Sequence, residues 1–162
     1  MAVNNNLHYN GTIRADWWNY YEGIYFVTMT VKNRIHAFGE IHRNSQTGQN
    51  NMNFSKLGQF VNDEIPKIME HYPYVFLPSW VVMPDHVHFI VAFVADAAMD
   101  RTLANWKRFL ARKCGIVWQK GFFDHRLRNE EERVEKWRYV VNNPVAKGLC
   151  DAIEDWPFRR AW

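Results

Sequence analysis

The chain has 162 residues, 48% of them hydrophobic and 16% aromatic. That is enough apolar surface for one core of ordinary domain size and too much for a disordered segment. Twenty basic against 17 acidic side chains leave a net +3, a balance that permits nucleic acid as a partner without demanding it. Cys114 and Cys150 form no CxxC pair, which excludes a zinc-finger framework and argues against a disulfide-stapled secreted module. No GxxxxGK(S/T), GxGxxG or GxSxG occurs, so neither a phosphate-cradling loop nor a nucleophile elbow is indicated. The polar opening stretch has no apolar signal-peptide region, and the longest apolar run, residues 89–95, is far short of the ~20 residues a membrane-spanning helix needs. The expectation is a cytoplasmic protein of one domain over 1–162, with 1–22 as an N-terminal extension and no membrane partner.

In chain order, residues 23–31 place β-branched and aromatic residues after a glycine and predict a strand. The Asn/Gln/Ser/Gly-rich segment within 37–54 reads as a loop or hairpin tip. From Ser55, a plausible N-cap, apolar residues recur at helical spacing through Ile68, with Pro66 expected to kink or break the helix. Residues 75–83 and 86–94 are β-rich runs flanking Pro84-Asp85 and predict an antiparallel hairpin. A helix from Arg101 to about Cys114, capped by Asp100, is followed by a short strand or loop over 116–123. A last helix over 130–142 should stop at Pro144. This succession fits an α+β fold: a ferredoxin-like β-α-β-β-α-β sandwich with an antiparallel sheet, plus an additional C-terminal helix.

Three groups of residues could carry chemistry. His86 and His88 alternate on a strand, so both imidazoles face one way and make most of a small metal site. Two half-exposed strand histidines are the plainer account of a bare HxH. On the last helix, Val134, Trp137, Val140 and Val141 form the apolar sector; Tyr139 falls nearly opposite, and Asn143 follows one turn later. An exposed tyrosine covering a loop accounts for Tyr139 equally well. On the preceding helix, Arg101, Arg108 and Arg112 lie opposite Leu103, Trp106 and Leu110, and Lys107 adds to a segment free of acids. Such a stripe can track a phosphate backbone or simply be a solvated face.

Taken together, the segments resemble one family. Residues 83–91, MPDHVHFIV, resemble the MP(N/D)HxH signature of HUH single-tyrosine transposases. Residues 118–125, WQKGFFDH, and 139–149, YVVNNPVAKGL, are similar to its later blocks, and YFVTMT at 25–30 with FGEI at 38–41 stands in the expected order. The resemblance runs from about 23 to 150 and is nearest to REP-associated tyrosine transposases of the insertion-sequence 200 type. Asn143 stands where insertion-sequence enzymes carry Gln, which favours the REP-associated branch.

The resemblance implies an enzyme that cleaves and rejoins single-stranded DNA beside hairpins through a 5′-phosphotyrosine intermediate. It implies Tyr139 as nucleophile, His86, His88 and Asn143 as metal ligands, and Mg²⁺ or Mn²⁺ as cofactor. Asp85, where many members have Asn, is left a turn or supporting role. Arg101, Lys107, Arg108 and Arg112 are candidate DNA contacts from the helical wheel alone. Such proteins act as monomers or homodimers. The alternative is a domesticated, catalytically silent hairpin-binding protein on the same fold.

Overall fold

The computed structural model describes residues 21–95 and 99–161; most of the expected extension over 1–22 lies outside them. The strands are β1 (Gly23–Thr30), β2 (Gly39–Arg43), β3 (Asn50–Phe54), β4 (Val75–Val82), β5 (His86–Phe93), β6 (Phe123–Arg126) and β7 (Arg159–Ala161). The helices are α1 (Lys56–Glu64), α2 (Ile68–His71), α3 (Met99–Cys114) and α4 (Glu130–Ala146). Five strands make one sheet in the order β6-β1-β5-β4-β7, and every pairing in it is antiparallel. The α+β reading therefore holds, and the expected β-α-β-β-α-β succession runs through β1, α1, β4, β5, α3 and β6.

All eight residues of β5 are buried, because helices cover both faces of the central strand; this is why its sequence shows no polar alternation. Val87, Phe89, Val91 and Phe93 pack with Val61, Ile65 and Ile68, and with Leu103, Trp106 and Leu110 of α3. On the opposite face Ile90 and Ala92, with Ile24, Phe26, Val81 and Met83, pack against Trp137, Val140 and Val141 of α4. The sheet thus separates an α1/α2/α3 layer from an α4 layer.

Local expectations mostly hold. Ser55 caps α1 by accepting a hydrogen bond from the Gly58 amide at 3.0 Å. Gly58 is required there, since a Cβ would stand 2.1 Å from the Phe38 carbonyl oxygen. Pro66 falls in a 3-10 turn that ends the regular helix. The Asn-rich segment closes a two-stranded β2–β3 hairpin, tied to the end of α4 by a 2.6 Å bond from Asn50 Nδ2 to the Gly148 carbonyl. Asp100 lies within the first turn of α3 rather than before it.

Of the two readings left open for residues 116–123, the loop holds up to Phe122, apart from a single Val31–Trp118 bridge; the strand is the later Phe123–Arg126. As a four-residue edge strand with three polar residues it carries no apolar signal, whereas Ile116, Trp118 and Phe122 are apolar because they pack against the core as loop. α4 also continues through Pro144 to Ala146. Proline removes only its own donor there, and the helix ends later, where Gly148 takes φ +66° and the Leu149 amide donates to the Pro144 carbonyl at 2.9 Å. Finally, β7 pairs with β4 and was not expected.

Candidate active site

Strand alternation puts Phe26 and Thr28 of β1 and His86 and His88 of β5 on the α4 side of the sheet. The antiparallel register sets Thr28 opposite His88 and Thr30 opposite His86. His86 and His88 are 8% and 6% exposed, so they are not the half-exposed strand histidines of the plainer account. Buried polar rings need partners, and each has one. Nδ1 of His86 lies 2.5 Å from Asp85 Oδ1, and Nδ1 of His88 lies 2.8 Å from Thr28 Oγ1. The other oxygen of Asp85 meets Arg34 Nε at 3.0 Å. Arg34 and Asn33 both adopt left-handed backbone, at φ +53° and +59°, strained for non-glycine residues.

With both Nδ1 atoms engaged, the two Nε2 atoms turn toward each other, 3.0 Å apart. Asp85 only accepts, so His86 donates through Nδ1 and carries a lone pair on Nε2. Thr28 can donate or accept. In one arrangement its hydroxyl donates to His88, whose Nε2–H then donates to His86; in the other His88 donates to Thr28 and both Nε2 lone pairs converge. Burial lowers the pKa of both histidines: that of His88 to about 3, with the proximity of His86, Lys147 and Arg34 adding to the effect; that of His86 against the opposing pull of Asp85. The rings are held neutral, as metal ligation requires.

From α4, Tyr139 lays its ring against His88 and Phe26. Its centroid is 5.4 Å from the His88 ring and 5.6 Å from Phe26, the latter edge to face. The side chain remains 44% exposed. One turn further along the helix, Asn143 is 1% exposed, and its buried Oδ1 has no hydrogen-bond partner among the described residues. The helical wheel's polar face of α4 therefore does not simply face solvent: toward its C-terminal half it turns inward. Lys136 lies one turn before Tyr139, its Nζ 5.7 Å from the Tyr139 ring and 6.0 Å from Phe26.

This donor set fits a divalent cation. Its two imidazoles are buried and neutral, and their Nε2 atoms face each other 3.0 Å apart, the protonation state in which histidine ligates a metal. Among the described residues no group of three or more His, Cys, Asp or Glu side chains is placed to hold a metal. A further protein donor must be of another kind, and an orphaned buried amide oxygen is one.

The structure brings together His86, His88 and Tyr139, with Asn143 one turn beyond on α4, but not the candidate DNA contacts. α3 packs on the other face of the sheet, so Arg101, Arg108 and Arg112 are exposed on the far layer. Lys107 is turned from solvent to structure, donating to the carbonyls of Gln119 and Gly121; burial lowers its pKa. The wheel located these charges on their helix correctly, but a wheel does not tell which face of the sheet a helix covers. Sequence reasoning missed Thr28, Phe26 and Arg34. Alternation along 23–31 could have put Phe26 and Thr28 on one face, but only strand register shows that this face meets His88. Both cysteines are free, and burial raises both thiols, making them poor nucleophiles.

No family model matches the chain. It is 26% identical to an uncharacterized protein of Haemophilus influenzae over 88% of this chain and 92% of that one. It is 30% identical to a REP-associated tyrosine transposase of Escherichia coli over 105 residues, 62% of each chain. The solved structure of a REP-associated tyrosine transposase bound to a REP hairpin shares the fold, with a TM-score of 0.64 at 24% identity, covering 86% of this chain and 76% of that one. The chain is thus similar in sequence to a REP-associated tyrosine transposase and shares the fold of one. No helix among the described residues is long and apolar enough to cross a membrane.

Proposed function

We propose that this protein is a metal-dependent single-stranded DNA endonuclease and strand transferase acting beside hairpins, with Tyr139 as nucleophile. The observation that carries the reading is the convergence of a solvent-accessible tyrosine on two neutral, buried histidines whose Nε2 atoms face each other. The hairpin is taken from the DNA-bound relative, and a cytoplasmic location follows from such a substrate. His86, His88 and Asn143 would hold Mg²⁺ or Mn²⁺, which when bound polarises the phosphate. Asp85 and Thr28 orient the two imidazoles. The Tyr139 oxygen attacks the scissile phosphorus, the bond to the 3′-oxygen breaks, and the strand is left as a 5′-phosphotyrosine with a free 3′-hydroxyl. One phosphodiester replaces another, so no nucleotide cofactor is consumed, in keeping with a chain that has no phosphate-cradling loop.

The test is a covalent adduct. With Mn²⁺ or Mg²⁺ and a hairpin oligonucleotide bearing single-stranded arms, the protein should form a product that survives denaturing electrophoresis. Tyr139→Phe should reduce it to background while hairpin binding persists. An adduct formed by Tyr139→Phe would remove the nucleophile. Salt-dependent hairpin binding with no adduct under either ion would instead support the silent, domesticated reading.

A further inference from the structure

Phe123 is an aromatic side chain left uncovered beside the site. It is 59% exposed and stands on β6, which among the described residues is an edge strand paired with β1 alone. The register places Phe123 opposite Thr28 and Thr28 opposite His88. The three form one cross-strand row, so Phe123 is two strands from His88, about 10 Å at ordinary strand spacing. Its ring meets Phe26 at 6.2 Å and 65°, and Phe26 in turn touches both Tyr139 and His88. Among the described residues the exposed large hydrophobic side chains are Ile35, Tyr74, Val94, Val117, Phe123 and Tyr139; apart from Tyr139 itself, only Phe123 joins this aromatic group.

A cation accompanies the ring. Lys136 Nζ lies over Phe26 and Tyr139 and is 3.0 Å from Glu135 Oε1. Glu135 is mostly exposed, so this pair is weak and a phosphate can displace the carboxylate. An unpaired nucleotide offers a flat π face and an adjoining phosphate, the complements of an open aromatic ring and an ammonium group.

We propose that Phe123 and Lys136 form a nucleotide subsite next to Tyr139, which takes one unpaired base of the DNA strand by stacking on Phe123 and holds the adjoining phosphate through Lys136. The inference rests on the reading that Tyr139 addresses single-stranded DNA. The subsite orders the nucleotide flanking the scissile phosphate and so sets where on the arm the tyrosine attacks.

The experiment uses the full chain, Mn²⁺, and a fluorescent hairpin oligonucleotide with unpaired arms, together with copies carrying one abasic position or one 2-aminopurine along the arms. The wild type should lose affinity for one particular abasic copy and quench 2-aminopurine at that position. Phe123→Leu, which still covers Phe26 but has no π face, should bind the intact probe roughly 5- to 150-fold more weakly. It should also abolish both the abasic penalty and the quenching, whereas Phe123→Trp should restore them. Lys136→Met should weaken binding and flatten its salt dependence by about one counterion. If the wild type binds and forms its adduct but Phe123→Leu behaves identically at every position, the subsite is wrong and the function stands. If the wild type neither binds the probe nor forms an adduct, both fall.

Discussion

Thr28 decides what the His86–His88 pair can do. Its hydroxyl can either donate to His88 or accept from it, and the second arrangement frees the His88 Nε2 lone pair. Thr28→Val keeps the shape of the side chain and removes this ability. It is expected to weaken Mn²⁺ binding by 10- to 100-fold, as losses of such supporting hydrogen bonds do, while the Tm of the metal-free protein moves little. Titration of Mn²⁺ followed by its free-ion resonance would measure this; an unchanged affinity would show that Thr28 does not orient His88. Asp85 and Arg34 act on the other ring in the same way, but the carboxylate can only accept, so His86 has one tautomer where His88 has two.

At the scale of elements, the position of Tyr139 depends on how α4 starts. Asn129 accepts a hydrogen bond from the Glu132 amide at 2.8 Å, and Glu132 accepts from the Arg128 amide at 2.9 Å. Glu130, Glu131 and Glu132 stand where the helix dipole favours acids. Asn129→Ala should cost about 1 kcal/mol of stability, read as a lower urea midpoint; no loss would mean that the helix is anchored by its packing alone. Strands and helices with strong periodicity were legible in the sequence: β1, β4, β5 and α3 fall within a residue or two of their expected limits. The common facing of His86 and His88, and of Tyr139 and Asn143, was legible too, because strand alternation and a helical turn are local rules; that the two pairs belong to one site was implied only by the resemblance. β6 was displaced because a short polar edge strand has no hydrophobic pattern. The partner Thr28, and the far-side placement of Arg108 and Arg112, depend on register and layer, which are properties of the assembled sheet.

For the molecule as a whole, the buried pair links folding to pH. The His88 pKa is about 3 in the folded chain and ~6.5 when unfolded. Below 6.5 the unfolded chain binds a proton that the folded chain refuses, so stability falls as pH drops toward 3; above 6.5 the pair makes no difference. The slope approaches ~1.4 kcal/mol per pH unit within that window. Between pH 7 and pH 5 the metal-free wild type should therefore lose about 2 kcal/mol more than His88→Gln, measured by urea unfolding in chelator. Parallel profiles for the two proteins would show that His88 is not held neutral by burial. The charge distribution is equally divided: acids crowd the start of α4 in the layer that holds Tyr139, while the exposed arginines of α3 occupy the other layer.

The sheet is consequently a partition as well as a scaffold. His88 sits two strands from either edge, with β6 on one side and β7 on the other. α4 with Tyr139 covers one face and α3 with Arg108 the other, and the β6 edge lies about 10 Å from His88. Phe123, the proposed base contact, stands exposed on that edge. An unpaired arm seated on the proposed Phe123 subsite would therefore run along this edge on the α4 face, with the sheet between it and the arginines of α3.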